Sequence, residues 1–277
     1  MGSIVWIASY PKSGNTWTRN FLHNLLRPSD DTYDINEMNE LTTGAGGARW
    51  YQPLLPRPLV DCTLEEVARA RPDAQKALAN AADGLVFVKT HSAMVSDLGF
   101  PAINAAVTSG AVYVVRNPLD VVVSYASHMG RSLDETIRIM SEDNARTANT
   151  SKQVYEPMGS WSHHVASWTR KAHRALHVVR YEDMLASPEE TFGALCAFLR
   201  LASGQEELRQ AVERSSFERL REMEDARGFA ERPEAAARFF REGRAGSWKD
   251  HLSPGQCDAV VLNHREQMER FGYWPLS

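Results

Sequence analysis

The chain has few cysteines, no long apolar run and no excess of positive charge, and each lack removes a class of function. Cys62, Cys196 and Cys257 are the three cysteines of 277 residues, and none sits in a C-x-x-C pair. Neither a disulfide framework nor a zinc site is expected, and a reducing, cytoplasmic compartment suits such isolated thiols. The most apolar stretch, AVYVVRNPLDVVVSY (111–125), is interrupted by Arg116, Asn117, Pro118 and Asp120, so it is too short and too charged to cross a bilayer. No basic segment followed by a long apolar one opens the chain, and no secretory leader is expected. A net charge of −4 gives no global attraction for nucleic acid or an anionic membrane, so any basic site must be local. Internal repeats and low-complexity tracts are also lacking.

What is present fits a soluble globular protein, with 43% hydrophobic and 24% charged residues. The length suits one sizeable core, taken as a single α/β domain over 1–277. Short apolar runs at 4–9, 85–89, 111–115 and 177–180 read as buried strands, each ending in polar residues: YPKSGN, KTHS, RNP and RYED. Helical patterns lie between them. Thr63 with Glu66, and Ser132 with Glu135, spell capping boxes. Ser187 is expected at a cap with Pro188 as the first helical residue, and Ser253 opens the last helix in the same way. Strands alternating with helices predict a mainly parallel sheet covered on both faces, with ligands at the carboxyl ends of the strands. Residues 42–58 and 224–251 read as loops, the first a candidate acceptor loop and the second a lid with few buried contacts of its own.

The strand–turn–helix at IVWIASYPKSGNTW is a natural anion cradle, because free N–H groups at a helix start and the helix dipole favour negative charge. It is not an NTPase loop, which needs G-x-x-x-x-G-K-[ST]. Here Lys12 precedes Gly14, and the strand AVYVV ends in Arg116 rather than an acid for Mg²⁺. The order Lys12, Ser13, Gly14, Asn15, Thr16, Trp17 points to phosphate held without a metal, with Trp17 offering a flat face for a base.

YPKSGNTW resembles the 5′-phosphosulfate loop of the cytosolic-type sulfotransferases, soluble bacterial members in particular. Further resemblances follow in the family's order: FVKTH (87–91), VVRNPLDVVVSY (114–125), RYEDM (180–184), SSF (215–217) and FFREGRAGSWKDHLS (239–253). The resemblance implies a P-loop-like sulfotransferase fold. It also implies transfer of the sulfuryl group of 3′-phosphoadenosine 5′-phosphosulfate (PAPS) to a hydroxyl of a small-molecule or natural-product acceptor. It makes His91 the general base, Lys12 the stabiliser of the leaving phosphate and Lys89 an aid at the sulfuryl group, with no metal. The 5′ end falls to Lys12, Ser13, Gly14, Asn15, Thr16 and Trp17. The 3′-phosphate falls to Arg116, Ser124 and Arg241, and the adenine to Tyr181 and Phe217, with Glu242 and Gly243 beside them. Glu242 departs from the family's R-K-G and is expected to point away from phosphate.

Two other functions are carried beside this one: a metal-dependent P-loop kinase and a non-catalytic nucleotide-binding module. His163 and His164 are adjacent, face different directions on a helix and read as packing residues rather than metal ligands. His128, Trp50 and Tyr51 are candidates for the acceptor side. The sequence names neither the acceptor nor an oligomeric state.

Overall fold

The computed structural model describes residues 2–27 and 34–275. Its centre is a five-stranded, wholly parallel sheet in the order β2-β3-β1-β6-β7, formed by Thr42–Gly44 (β2), Leu85–Thr90 (β3), Ser3–Ser9 (β1), Thr108–Val115 (β6) and Leu176–Arg180 (β7). A small antiparallel hairpin, Ser96–Asp97 (β4) and Phe100–Pro101 (β5), lies outside it. Asn15–Leu26 (α1), Met38–Leu41 (α2), Ala48–Tyr51 (α3) and Leu64–Ala79 (α4) precede β3. Pro118–Met129 (α5), Leu133–Ser141 (α6) and Trp161–Thr169 (α7) separate β6 from β7. Tyr181–Ala186 (α8), Pro188–Leu199 (α9), Gln205–Arg214 (α10), Phe217–Arg227 (α11) and Pro254–Arg270 (α12) complete the described helices.

Alternation along β1 sets the layers. Ile4, Trp6 and Ala8 enter a core shared with Trp161, Val165, Val260 and Met268 of α7 and α12. Val5 and Ile7 enter the opposite core, with Phe21, Leu22, Phe192 and Leu195 of α1 and α9. Both faces are buried, which is why the strands read as Val/Ile runs. The expected capping boxes form at Thr63/Glu66, Ser132/Glu135 and Ser253/Gln256. Ser187 makes no capping bond; Pro188 alone starts α9, its fixed φ already helical.

Of the two segments read as loops, 42–58 is corrected, while 224–251 has no helix or strand from 228 to 246 but is better anchored than expected. Residues 42–58 open with β2, which pairs Thr42–Gly44 with Phe87–Lys89 at the edge of the sheet. Tyr51 is buried and Trp50 partly so, in a cluster with Val67 and Tyr155; neither lines the site cavity, and they pack rather than face an acceptor. Residues 224–251 have an apolar anchor: Phe229 and Phe240 bury with Ile35, Met38 and Leu220. The buried Glu224 carboxylate accepts the N–H groups of Phe239 and Phe240 at 2.8 and 2.9 Å. Each buried ring contributes about 1.5–3 kcal/mol, so the segment holds a defined path.

β1 lies between β3 and β6: the chain runs from β1 out to β2 and back through β3 on one side, then crosses to β6 on the other. The carboxyl ends of these strands flank a crevice of the kind in which open α/β sheets bind ligands.

Candidate active site

That crevice is a cavity of about 630 Å³, a size usual for a small-molecule site. Fourteen of the fifteen sequence-expected residues line it: Lys12, Gly14, Asn15, Thr16, Trp17, Lys89, His91, Arg116, Ser124, Tyr181, Phe217, Arg241, Glu242 and Gly243. Ser13 is the exception. Its side chain is buried, its hydroxyl has no partner among the described residues, and it does not line the cavity.

The first loop turns sharply between β1 and α1. Lys12 sits at φ 65° and Gly14 at φ 111°, both in the left-handed region. A side chain at position 14 would start 2.9 Å from the Tyr181 ring, so glycine is required by space as well as by φ. Lys12 is no glycine, and its conformation is of the strained kind that clusters at functional sites. Asn15 departs from its expected role. Its side-chain amide donates to Ile7 O at 2.9 Å and Ser9 Oγ at 3.3 Å, bracing the loop against β1, and only its backbone N–H is left to face a ligand.

The Lys12 ammonium lies 3.6 Å from the centre of the Phe239 ring. Burial, with Arg116 and Lys89 nearby, lowers its pKa to about 7. Lys12 and Arg116 have no carboxylate within ion-pair distance among the described residues. Arg116 lies over Tyr181, 4.2 Å from the ring centre, and donates to Lys12 O at 3.1 Å and Arg244 O at 3.2 Å. It does not pair with Asp120, which instead accepts from Gly246 N, Ser247 Oγ and Trp248 N. Trp17 meets Tyr181 edge to face, with ring centres 5.7 Å apart. Gly243 packs on the Phe217 ring so closely that a Cβ would fall 2.3 Å from it.

Arg241 donates to Val123 O, next to Ser124, at 3.2 Å and to Glu242 Oε1 at 2.7 Å. Glu242 therefore does not point away from the cationic wall. It also contacts Arg244, which it shares with Asp250, and His251. Burial would raise its pKa, but hydrogen bonds from Arg241 and His251 hold it below the usual carboxylate range.

His91 follows β3 directly. Its Nδ1 lies 2.8 Å from Ser9 O, so Nδ1 carries the hydrogen and Nε2 is left as a free acceptor. Burial first, then the Lys89 charge, lowers its pKa to about 3, which keeps the ring neutral at physiological pH. His164 Nε2 lies 3.1 Å from His91 O, and its Nδ1 lies 2.8 Å from the Tyr113 hydroxyl. His164 is thus a core residue, as read from the sequence, and it props the strand end that carries His91.

Two acids were not singled out in the sequence. Glu231 contacts Lys89 at 3.6 Å and holds the buried Arg19 at 2.9 and 3.1 Å. Burial pushes its pKa up, but the Lys89 and Arg19 charges override this and bring it down to about 2. Glu156 Oε1 accepts from Thr90 Oγ1 and from His91 N, both at 2.8 Å. Among the described residues no group of His, Cys, Asp and Glu could hold a metal ion, and no helix is long and apolar enough to cross a membrane.

A free imidazole acceptor and two lysines in a cationic crevice can deprotonate a hydroxyl and stabilise a phosphate-like leaving group. Comparison with known proteins agrees with this chemistry. Residues 3–272 match the family described as "Sulfotransferase domain". Rat Sulfotransferase 2A6 is 28% identical over 165 residues, 58% of this chain and 57% of that protein. Mouse Sulfotransferase 2A2 is 24% identical over 273 residues, 96% of this chain and 84% of that protein. Among solved structures, retinol dehydratase in complex with androsterone and the inactive cofactor PAP superposes with a TM-score of 0.66 at 18% identity, over 96% of this chain and 80% of that one. The fold is shared with it, the family profile runs from β1 to beyond α12, and the chain belongs to the sulfotransferase family.

Proposed function

We propose that this protein moves the sulfuryl group of PAPS onto a hydroxyl of a small-molecule or natural-product acceptor, leaving 3′-phosphoadenosine 5′-phosphate (PAP). The observation that carries the reading is the placement of the His91 Nε2 acceptor, Lys12 and Lys89 on one cavity with the cationic wall of Arg116 and Arg241. The residues fit the nucleotide: Lys12 and Arg116 lack acidic partners, and buried Arg116 Nε and Trp17 Nε1 lack any partner among the described residues. Arg116, Ser124 and Arg241 would hold the 3′-phosphate, α1's N-terminus with Lys12 the 5′ end, and Trp17, Tyr181 and Phe217 the adenine side.

PAPS supplies an activated sulfuryl group bonded through oxygen to a good leaving phosphate. His91 Nε2 takes the proton of the acceptor hydroxyl as its oxygen bonds to sulfur. Lys12 stabilises the charge that the departing phosphate oxygen gains when its bond to sulfur breaks. Lys89, held by Glu231, sits beside the transferred group. Positioning and charge stabilisation dominate, as in phosphoryl transfer. Segment 224–251 supplies Glu231, Arg241 and Gly243 and closes the cavity's remaining side, the part of a lid.

A thermal-shift comparison separates this reading from a kinase or a binding module. PAP with a chelator should raise the melting temperature, and ATP with Mg²⁺ should not. A response to Mg²⁺–ATP alone would favour the kinase; PAP binding without any sulfuryl transfer would favour the module.

A further inference from the structure

Besides the donor residues, the cavity is lined by polar groups with atoms that no other described residue engages. Glu156 commits only Oε1 to the protein, through Thr90 and the His91 N–H. Its Oε2 accepts no hydrogen bond among the described residues, is not sealed in the core, and belongs to a residue that lines the cavity. Three positions earlier, the exposed Gln153 lines the same cavity, beside Lys152, which has no ion-pair partner among the described residues. His128 lines the same cavity with a buried Nδ1 that has no partner among the described residues. Burial, with Lys12 and His91 close by, lowers the His128 pKa to about 3, so its imidazole is neutral and able to accept a hydrogen bond.

Unpartnered polar atoms are costly when an apolar ligand buries them and leaves them unsatisfied. They become favourable against a ligand that brings its own donors and acceptors. Resting on the sulfotransfer reading, we infer that the acceptor is a polyhydroxylated, glycoside-like molecule, and that a hydroxyl or ammonium group next to its reacting hydroxyl donates to Glu156 Oε2. The placement follows from connectivity. The oxygen paired with Oε2 on the same carboxylate holds the backbone N–H of the base, and both residues line one cavity, so a group bound at Oε2 would sit on the base's side of it. A steroid-type alcohol carries no such neighbouring donor and would bury the carboxylate oxygen unpaired.

The test uses the full chain with ³⁵S-labelled PAPS and two acceptor sets at equal concentration: mono- and disaccharide glycosides, aminosugars among them, against steroid and simple phenolic alcohols. A PAP-dependent thermal shift is measured first, and its absence would sink the sulfotransfer reading itself. With PAP binding present, label should enter the glycoside set at least tenfold faster. Label in the apolar set alone, or in neither set, would overturn the acceptor assignment while leaving donor recognition standing. Within the glycoside set, faster labelling of aminosugars identifies an ammonium at Oε2, and equal labelling of neutral sugars identifies a hydroxyl. Glu156→Gln keeps an oxygen for Thr90 and His91 but replaces Oε2 with a donor. It should raise KM for the preferred glycoside about tenfold with a smaller effect on kcat, and PAP binding should persist. An equal loss toward both acceptor sets, or a loss in kcat alone, would mean that Glu156 acts only on the base and would remove it from acceptor recognition.

Discussion

Lys12 gives the donor site a pH dependence that can be isolated. With a pKa near 7 in the free protein, Lys12 is protonated in about nine molecules of ten at pH 6 and about one in ten at pH 8. A phosphate group needs the ammonium form, so binding above pH 7 must draw a proton onto Lys12. By linkage, affinity for PAP should fall about tenfold between pH 6 and pH 8 through this residue alone. The ligand's own phosphate ionisation, near pH 6, works in the opposite direction and must be removed from the comparison. Lys12→Arg does this, because a guanidinium stays charged throughout the range. Isothermal titration of PAP into both proteins, at constant ionic strength, gives a ratio of affinities, wild type over variant, that should drop about tenfold from pH 6 to pH 8. Repeating the wild-type titration at pH 8 in buffers of different ionisation enthalpy should reveal uptake of nearly one proton. A flat ratio with no proton uptake would show that Lys12 stays charged without ligand, or that it never meets the phosphate.

Arg116→Ala should weaken PAP by roughly 1.5–3 kcal/mol more than it weakens adenosine 5′-phosphosulfate, which lacks the 3′-phosphate. Equal losses in titrations of the two nucleotides would reduce Arg116 to its structural bonds with Lys12 O and Arg244 O. Gly243→Ala combines φ 64° with a Cβ 2.3 Å from the Phe217 ring, so one of the two must move. A loss of at least about 1–2 kcal/mol in PAP binding is expected by titration, and unchanged affinity would mean that the Phe217 ring does not touch the adenine. Glu242→Gln removes the carboxylate that occupies Arg241. PAP affinity should rise severalfold at low salt, with the gain shrinking as salt is added; a loss at every salt concentration would give the acid a positive role in holding the donor.

The strands of the sheet centre were legible because parallel strands buried on both faces must be written as runs such as VWIA and VYVV. β2 was not, since Thr42-Thr43-Gly44 carries no pattern of its own and becomes a strand only against the free edge at Phe87–Lys89. The anchoring of 224–251 was hidden for a similar reason. Phe229 and Phe240 find their partners in Ile35, Met38 and Leu220, which no local periodicity connects to them. At the site, the donor-side residues could be read because each sits next to a strand end in a short motif. The orientation of their side chains could not: Ser13 and Asn15 both offer donors in sequence, yet one hydroxyl is buried off the cavity and the other amide turns back to β1. Glu156 and Glu231 were invisible because each is a lone acid whose partner comes from far along the chain, 65 residues for His91 N and 212 for Arg19.

The most direct test of the central claim is a transfer assay in chelator with ³⁵S-labelled PAPS and a mixed hydroxyl-bearing acceptor pool, run with wild type and His91→Ala. Label should appear in an organic product with an equal amount of PAP, and the alanine variant should lose about 10²–10⁴-fold in rate while still binding PAP. Wild-type protein that binds PAP but never labels an acceptor, or an alanine variant with near-normal turnover, would contradict sulfuryl transfer by this base.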